Sequence, residues 1–182
     1  AQCGLLREFL KDLQLLRRVV EPAAVRLAAE RATPEDIVQI EAAYAGMKKA
    51  VEEGGDYVTH DMRFHQGLLQ ASHNRMLVQM SKALNALLRT SFEISTRIKD
   101  GPKNSLPLHR AVLNAVIARE PDKAERAIMV LIDGAKDDID HVLSSRKKLP
   151  VVSGMATPIK TQTKTKSLSK DNSKMNTPKT GA

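Results

Sequence analysis

The sequence has few aromatic residues and almost no cysteine. Aromatic residues make up 3% of the 182 residues, and tryptophan is absent. A core without large rings must be filled by Leu, Ile, Val, Ala and Met, which favours helices over sheets. The single cysteine, Cys3, excludes a disulfide within the chain and favours a reducing, cytoplasmic setting.

Long apolar runs are also lacking. No stretch approaches the roughly 18 apolar residues that a membrane-spanning helix needs, so no membrane partner is expected. The first residues do not show the basic and then apolar pattern of a signal peptide. The motifs of common enzyme classes are missing as well, including the P-loop, G-x-S-x-G, H-E-x-x-H and paired C-x-x-C. The sequence therefore predicts a protein that is not an enzyme.

Positive charge is concentrated towards the end of the chain. The formal net charge is +8, and the segment from Pro150 onward holds six lysines and one acidic residue. This segment is rich in Lys, Thr and Ser and has no periodicity, which predicts a disordered tail at residues 150–182 after a folded domain at residues 1–149. The tail either is a solvated segment without a specific role or attracts polyanions without sequence preference.

Apolar residues recur at steps of three and four along the first 146 residues, and no alternating strand pattern appears. This periodicity predicts six helices, at about 5–31, 34–53, 57–72, 75–99, 108–119 and 122–146. Short connections between them predict an all-α, antiparallel bundle. Pro22 predicts a kink or break in the first helix, and the Gly and two Pro of residues 100–107 predict a loop. Helix caps are expected at Thr33, Asp56 and Asn74.

Asp61 and His65 form the most informative polar pair of the sequence. Residues four apart lie on the same face of a helix, and Leu68 and Leu69 continue this face towards the interior. His109 occupies the inward stripe of the fifth helix, so it can meet the pair between two helices. Two imidazoles and a carboxylate form a ligand set for a divalent cation with open positions. The alternative is a His–Asp hydrogen bond that only stabilises the bundle.

Two arginines are candidates for binding an anionic ligand. Arg17 shares a face of the first helix with apolar residues, and Arg89 lies beside Leu88 in the fourth helix. Guanidinium groups bind carboxylates through two parallel hydrogen bonds. Alternatively, each is a surface residue whose stem covers apolar neighbours. The other histidines, His60, His73 and His141, are expected to lie away from the site.

Three stretches together resemble a known family. They are LRRVVEPAAVRLAAERATPEDIVQIEAAYAGM, DMRFHQGLLQASHNRML and LHRAVLNAVIAREPDKAERAIMVLIDGA. In this order and at these distances they resemble the FCD domain, the C-terminal effector-sensing domain of the FadR subfamily of GntR transcription regulators. The resemblance runs from about Leu5 to Leu143, and it is greatest to the branch that responds to sugar acids such as galactonate.

The resemblance implies a helical bundle that forms a homodimer. It further implies a pocket that holds a divalent metal, often Zn²⁺, and that binds a small carboxylate or sugar acid. Binding there would alter the DNA affinity of an attached winged helix. Asp61, His65 and His109 match the first three metal-site residues of the family, and Arg17 and Arg89 match its pocket arginines. All five are therefore expected effector-binding residues.

Two features depart from the family pattern. The usual fourth ligand is a histidine in the last helix, and the matching position here is Leu131, which cannot ligate. No winged helix-turn-helix precedes the domain, so binding to operator DNA is expected only through a reader that this chain does not contain. Two other functions stay open on the residues alone. One is a helical metal-dependent hydrolase using the same Asp–His–His set, and the other is a purely structural interaction bundle.

Overall fold

Six helices make up most of residues 2–144, the part of the chain that the computed structural model describes. They are α1 (Gln2–Arg31), α2 (Pro34–Glu53), α3 (Tyr57–Ala71), α4 (Arg75–Ser95), α5 (Gly101–Ile117) and α6 (Pro121–Ser144). The all-α prediction is confirmed, and these described residues contain no strand. None of their helices is long and apolar enough to cross a membrane. The predicted tail at residues 150–182 lies outside the described residues.

Helix starts follow the local sequence closely. Thr33 and Asp36 form a capping box at the start of α2, in which the Asp36 amide donates to the Thr33 hydroxyl at 3.2 Å. The Asp56 carboxylate accepts from the Thr59 amide at 2.9 Å and caps α3. Asn74 caps α4 in the same way. Each cap satisfies amides that the first helical turn leaves without partners, so the three predicted starts are confirmed.

The prediction of a helix break at Pro22 is wrong. α1 continues through this residue for 30 residues in all. Proline removes one backbone hydrogen bond of the helix. Buried residues lie on both sides of it, with Val20 before and Ala24 and Val25 after. Burial of this continuous apolar face outweighs the missing bond, since most helical stability in proteins comes from packing.

The predicted loop at residues 100–107 is also wrong. α5 begins at Gly101, with Asp100 in the left-handed region at φ 62°. Pro102 falls in the first turn, where the missing amide hydrogen has no helical partner to lose. Glycine is favoured at position 101 because a Cβ would lie only 3.0 Å from the carbonyl oxygen of Ser95, a tighter contact than most Cβ atoms make. The consequence is that α5 carries about two extra turns at its start, which reach the candidate site.

α3 lies between two of the apolar cores. Phe64 and Leu68 pack in a large core formed with residues of α1, α2, α5 and α6. Leu69 packs in a second core with residues of α1 and α4. Asp61 and His65 belong to the same helix and are both buried. The polar groups of α3 therefore sit at the seam between the two cores, close to α1 and α5.

One apolar surface is left uncovered by the rest of residues 2–144. Met80 and Leu87 follow the apolar period of α4, which would place them inward, but both are more than a third exposed. Met76 and Ala83 are exposed too. The four residues recur at steps of four, three and four, so they form one face of α4. We call this face the α4 stripe.

Candidate functional site

The structure brings Asp61, His65 and His109 together at the seam. His109 Nε2 lies 3.0 Å from Asp61 Oδ1, and His65 Nε2 lies 3.4 Å from the same oxygen. One ligand atom from each residue lies within 4.8 Å of the other two, and all three residues are buried. The i, i+4 spacing in α3 accounts for the pair of Asp61 and His65, and α5 brings His109 to the same carboxylate oxygen.

Each histidine is held by its other ring nitrogen. His109 Nδ1 lies 2.9 Å from the carbonyl oxygen of Ser105, and His65 Nδ1 lies 2.9 Å from Glu21 Oε2. A carbonyl or an ionised carboxylate can only accept a hydrogen bond, so both Nδ1 atoms carry the hydrogen. Both Nε2 atoms then turn towards Asp61. This arrangement is typical of metal-ligating histidines, whose second nitrogen donates to a carbonyl or carboxylate.

Glu21 belongs to the site, although the sequence argument did not assign it there. It accepts from Arg17 Nε at 2.7 Å, and both side chains are almost fully buried. Arg17 precedes Glu21 by four residues, so the two lie on one face of α1. The sequence signal for Glu21 is this spacing, within the R-x₃-E-P of the first stretch that carries the family resemblance. The contact with His65 depends on how α1 packs against α3, which spacing within one helix does not reveal.

The charges of this cluster are strongly coupled. Burial alone would raise the pKa of Glu21, but Arg17 and His65 hold this pKa at about 2. Burial would lower the pKa of His65, yet Glu21 and Asp61 raise it to about 9. Burial likewise opposes ionisation of Asp61, and the adjacent His109 and His65 hold the pKa of Asp61 well below its usual range. Without a bound cation, the cluster therefore alternates positive and negative groups.

A cavity of about 150 Å³ opens beside the cluster. Its wall includes Arg17, Asp61, His65 and His109. Further polar groups come from residues that the sequence argument did not assign: Tyr57, Ser95, Thr96, Asn104, Ser105 and Asp138. Tyr57 and Ser105 are joined by a hydroxyl–hydroxyl hydrogen bond of 2.7 Å. Most of these residues were missed because Asn104 and Ser105 fell in a predicted loop and the others carry no motif.

One guanidinium nitrogen in this wall is unused. Arg17 Nη1 is buried and has no hydrogen-bond partner among the described residues. A buried donor without a partner costs free energy comparable to a lost hydrogen bond. The nitrogen belongs to a residue that lines the cavity, where an anionic ligand could accept from it.

The part of the cavity wall that α6 forms includes an apolar residue and a glycine. Leu131 and Gly134 both line the cavity. Leu131 therefore lies where the sequence comparison placed it, and it offers no ligand atom. A Cβ added at Gly134 would lie 3.5 Å from Leu108 Cδ1, an ordinary van der Waals distance. The absence of a side chain at Gly134 therefore enlarges the cavity without being demanded by the packing of α5 on α6.

The remaining predicted residues lie elsewhere. Arg89 does not line the cavity; its side chain is 51% exposed and pairs with Glu93 at 3.5 Å. Position 89 falls beside the buried face of α4, so the long side chain reaches solvent. His60 lines a separate surface groove between α2 and α3. His73 pairs with Asp36 at 2.7 Å, and His141 is exposed.

The ligand atoms of the three central residues suit a divalent cation. Two neutral imidazole Nε2 atoms and one carboxylate oxygen are the donors that Zn²⁺ and similar metals accept. Both histidines are oriented by their Nδ1 atoms, which is the outer-shell support that such sites require. With Leu131 in the wall, these three residues would supply the protein ligands of a bound cation, which would leave coordination positions open for oxygens of a ligand.

Comparison with known proteins agrees with this fold. The FCD domain profile matches residues 12–134. The galactonate operon transcriptional repressor of Escherichia coli K12 is 36% identical over 121 residues, which cover 64% of this chain and 52% of that protein. The Glc operon transcriptional activator of the same strain is 32% identical over 149 residues, covering 77% of this chain and 55% of that protein.

A solved structure shares the fold. The GntR protein of Streptococcus agalactiae superposes with a TM-score of 0.63 at 22% sequence identity, covering 72% of this chain and 60% of that one. The chain belongs to the FCD domain family. It spans about half the length of the curated relatives that it matches.

Proposed function

We propose that this chain is the effector-sensing and dimerisation domain of a GntR-type transcription regulator, and that the cavity binds a small carboxylate or sugar acid. The observation that carries the proposal is one cavity lined by the Asp61, His65 and His109 cluster and by Arg17, whose buried Nη1 has no partner among the described residues. The alternative of a hydrolase gains no support from the relatives, which are transcription regulators. Such a regulator would act on DNA in the cytoplasm.

The cavity can orient a hydroxylated acid. The guanidinium of Arg17 would bind the carboxylate through a charge-assisted hydrogen bond. Asn104, Ser105 and Asp138 would form hydrogen bonds with hydroxyl groups of the ligand, since all three line the same cavity. Asp61, His65 and His109 would hold a divalent metal, whose positive charge and open positions favour carboxylate and hydroxyl oxygens when it is bound. A ligand with a carboxylate and neighbouring hydroxyl groups would therefore offer an interaction partner to the guanidinium, to the polar lining residues and to the metal.

Sensing requires that the ligand prefers one arrangement of the helices. Cavity residues come from α1, α3, α4, α5 and α6, so a bound acid contacts most of the bundle. A ligand shifts an equilibrium only by the difference in its affinity for the two states. Operator binding would come from a winged helix-turn-helix outside this chain, and the shift would change how two such readers are spaced on DNA.

The first prediction tests the cavity. Galactonate or L-lactate at a hundred times its dissociation constant, with Zn²⁺ present, should stabilise the chain by about 2.7 kcal/mol. For a domain of this size that corresponds to a rise of about 5–10 °C in the melting temperature. Differential scanning fluorimetry with each acid, with and without Zn²⁺, measures this rise. His65→Ala should abolish it, because the variant loses one of three metal ligands.

A matched histidine variant serves as the control. His141→Ala should leave the rise unchanged, since His141 is exposed on α6 and does not line the cavity. If neither sugar acids, hydroxy acids nor Zn²⁺ raises the melting temperature of the native chain, the sensing function of this cavity is refuted. A rise that survives in His65→Ala would refute the role of the metal cluster alone.

Dimerisation is the second part of the proposal, and the α4 stripe supports it. An exposed row of Met76, Met80, Ala83 and Leu87 offers a second copy an apolar helix face. Large apolar faces on soluble proteins usually mark interaction sites. Steps of four and three residues suit helix-on-helix packing against an identical face related by a two-fold axis.

A charge in the stripe should separate the protomers. Leu87→Glu would place two carboxylates at or near the axis of a two-fold interface, so we expect the dimer fraction at micromolar concentration to fall by at least tenfold. Analytical ultracentrifugation measures this fraction. Val130→Glu changes an exposed apolar residue of α6 in the same way and should not alter it. A native chain that is monomeric, or a Leu87→Glu variant that dimerises as well as the native chain, would contradict this interface.

A further inference from the structure

The carboxylate of Glu21 has two partners of different kinds. Its Oε1 accepts from Arg17 Nε at 2.7 Å, and its Oε2 lies 2.9 Å from His65 Nδ1. A carboxylate needed only to neutralise Arg17 would turn both oxygens to the guanidinium. Here the second contact from Arg17, Nη2 to Oε2, is long at 3.4 Å, whereas the contact to the imidazole is short.

We infer that Glu21 is a positioning residue of the metal site, acting through His65. The inference rests on the proposed metal binding and identifies Glu21 as a residue that increases the affinity for the metal. Glu21 fixes the hydrogen on His65 Nδ1 and the plane of the ring, so that Nε2 faces Asp61 and His109. A carboxylate at Nδ1 also raises the basicity of the ligating nitrogen, as outer-shell carboxylates do in metal sites.

The two histidines differ in this respect. His109 Nδ1 is held by the neutral carbonyl of Ser105, which is part of its own helix. His65 is held by a charged group from another helix, and that group is itself anchored by Arg17. α1 therefore contributes the Glu21 carboxylate and the Arg17 guanidinium to the polar groups around His65. With Leu131 unable to ligate, the orientation of each remaining ligand has a larger effect on affinity.

A titration with Co²⁺ tests the inference on the whole chain. Visible absorption of bound Co²⁺ reports both affinity and ligand geometry, and competition with Zn²⁺ extends the range. Glu21→Gln keeps an acceptor for His65 Nδ1–H but removes the charge, and we expect about tenfold weaker binding. Glu21→Leu removes both, and we expect a loss nearer to 100-fold, the upper end for outer-shell substitutions. The Co²⁺ spectrum of Glu21→Leu should also change, because the ring of His65 is free to turn.

Two further variants separate positioning from folding. Glu93→Gln changes the carboxylate of an Arg–Glu pair with the same spacing at the surface, and it should leave Co²⁺ affinity unchanged. Arg17→Met with Glu21→Gln removes both buried charges, so the chain can fold without an unpaired arginine. We expect this double variant to bind Co²⁺ as weakly as Glu21→Gln, because the carboxylate at His65 is missing in both.

Each outcome decides the inference. Native affinity in Glu21→Gln, or affinity restored in the double variant, would show that Glu21 serves only to balance Arg17 and would overturn the inference alone. A native chain that binds neither Co²⁺ nor Zn²⁺ would overturn the metal site itself and the inference with it. Weak binding in both Glu21 variants with an unchanged Glu93→Gln result supports the positioning role. Circular dichroism of each variant confirms that a folded protein is compared.

Discussion

Glu21→Gln should lower the free energy of unfolding by about 3–5 kcal/mol, the usual cost of removing one partner of a buried ion pair. The side chains of Glu21 and Arg17 are 3% and 1% exposed. Without the carboxylate, the guanidinium stays buried and positive but loses the group that neutralises it. Arg17 already has one nitrogen without a partner, so the remaining interactions cannot compensate.

Urea unfolding followed by circular dichroism measures this loss, and the chain contains its own control. Glu93→Gln breaks the pair of Arg89 and Glu93, which has the same i, i+4 spacing but side chains that are 51% and 43% exposed. Exposed pairs contribute about 0–1 kcal/mol, so this variant should be close to the native chain. Equal losses in the two variants would contradict the buried role of Glu21.

Removing both charges should recover most of the stability. In Arg17→Met with Glu21→Gln, neither an unpaired cation nor an unpaired anion remains, and Met roughly fills the volume of the arginine stem. Replacing a buried ion pair by apolar groups is often neutral or even stabilising. We therefore expect the native chain and the double variant to have similar free energies of unfolding, and Glu21→Gln to have a much lower one. If the double variant is as unstable as Glu21→Gln, the ion pair stabilises the fold by more than the neutralisation of its two charges.

Phe64→Ala should cost a similar amount, about 3–5 kcal/mol, for a different reason. Phe64 is fully buried in the largest core. Its ring also meets His109 edge-on, with centroids 5.2 Å apart, and His65 with centroids 5.9 Å apart. Truncation removes apolar contacts and leaves a cavity directly behind both imidazoles, so the two histidines lose the surface that keeps their rings in place.

The control for Phe64 is an apolar residue on the surface. Val19→Ala, at a side chain that is 72% exposed, should change the free energy of unfolding by less than about 0.5 kcal/mol. Phe64→Leu keeps most of the volume and should cost less than Phe64→Ala, about 1–1.5 kcal/mol. Urea unfolding distinguishes the three values. A Phe64→Ala variant no less stable than Val19→Ala would show that the core relaxes fully around this position.

Much of the fold follows from periodicity and caps, and the exceptions have physical causes. Helix starts at Thr33, Asp56 and Asn74 were predicted because capping is local chemistry. Pro22 and residues 100–107 were misjudged because proline's intrinsic preference is weaker than the packing of a continuous apolar face and the tolerance of a first helical turn. Local rules do not contain either of these tertiary contributions.

The candidate site also combines residues that local sequence patterns predict with residues that only tertiary packing brings in. Asp61 with His65 follows from spacing within one helix, and His109 follows from its register in another. The contact of Glu21 with His65 and the exposure of Arg89 depend on which faces of α1 and α4 pack against α3. The periodicity of a single helix does not predict such contacts between helices. Arg17 and Arg89 both stand beside apolar residues in the sequence, yet one lines the cavity and the other reaches solvent.

Gly134 suggests how this cavity could change its ligand during evolution. A glycine in the middle of a helix destabilises it by about 0.5–1 kcal/mol relative to alanine. A methyl group here would meet Leu108 at an ordinary distance, so the bundle tolerates the larger residue. The same methyl group would enter a space of about 150 Å³. A single nucleotide substitution could therefore narrow the range of accepted acids while making the domain more stable, a step that natural selection could take or reverse without passing through a poorly folded intermediate.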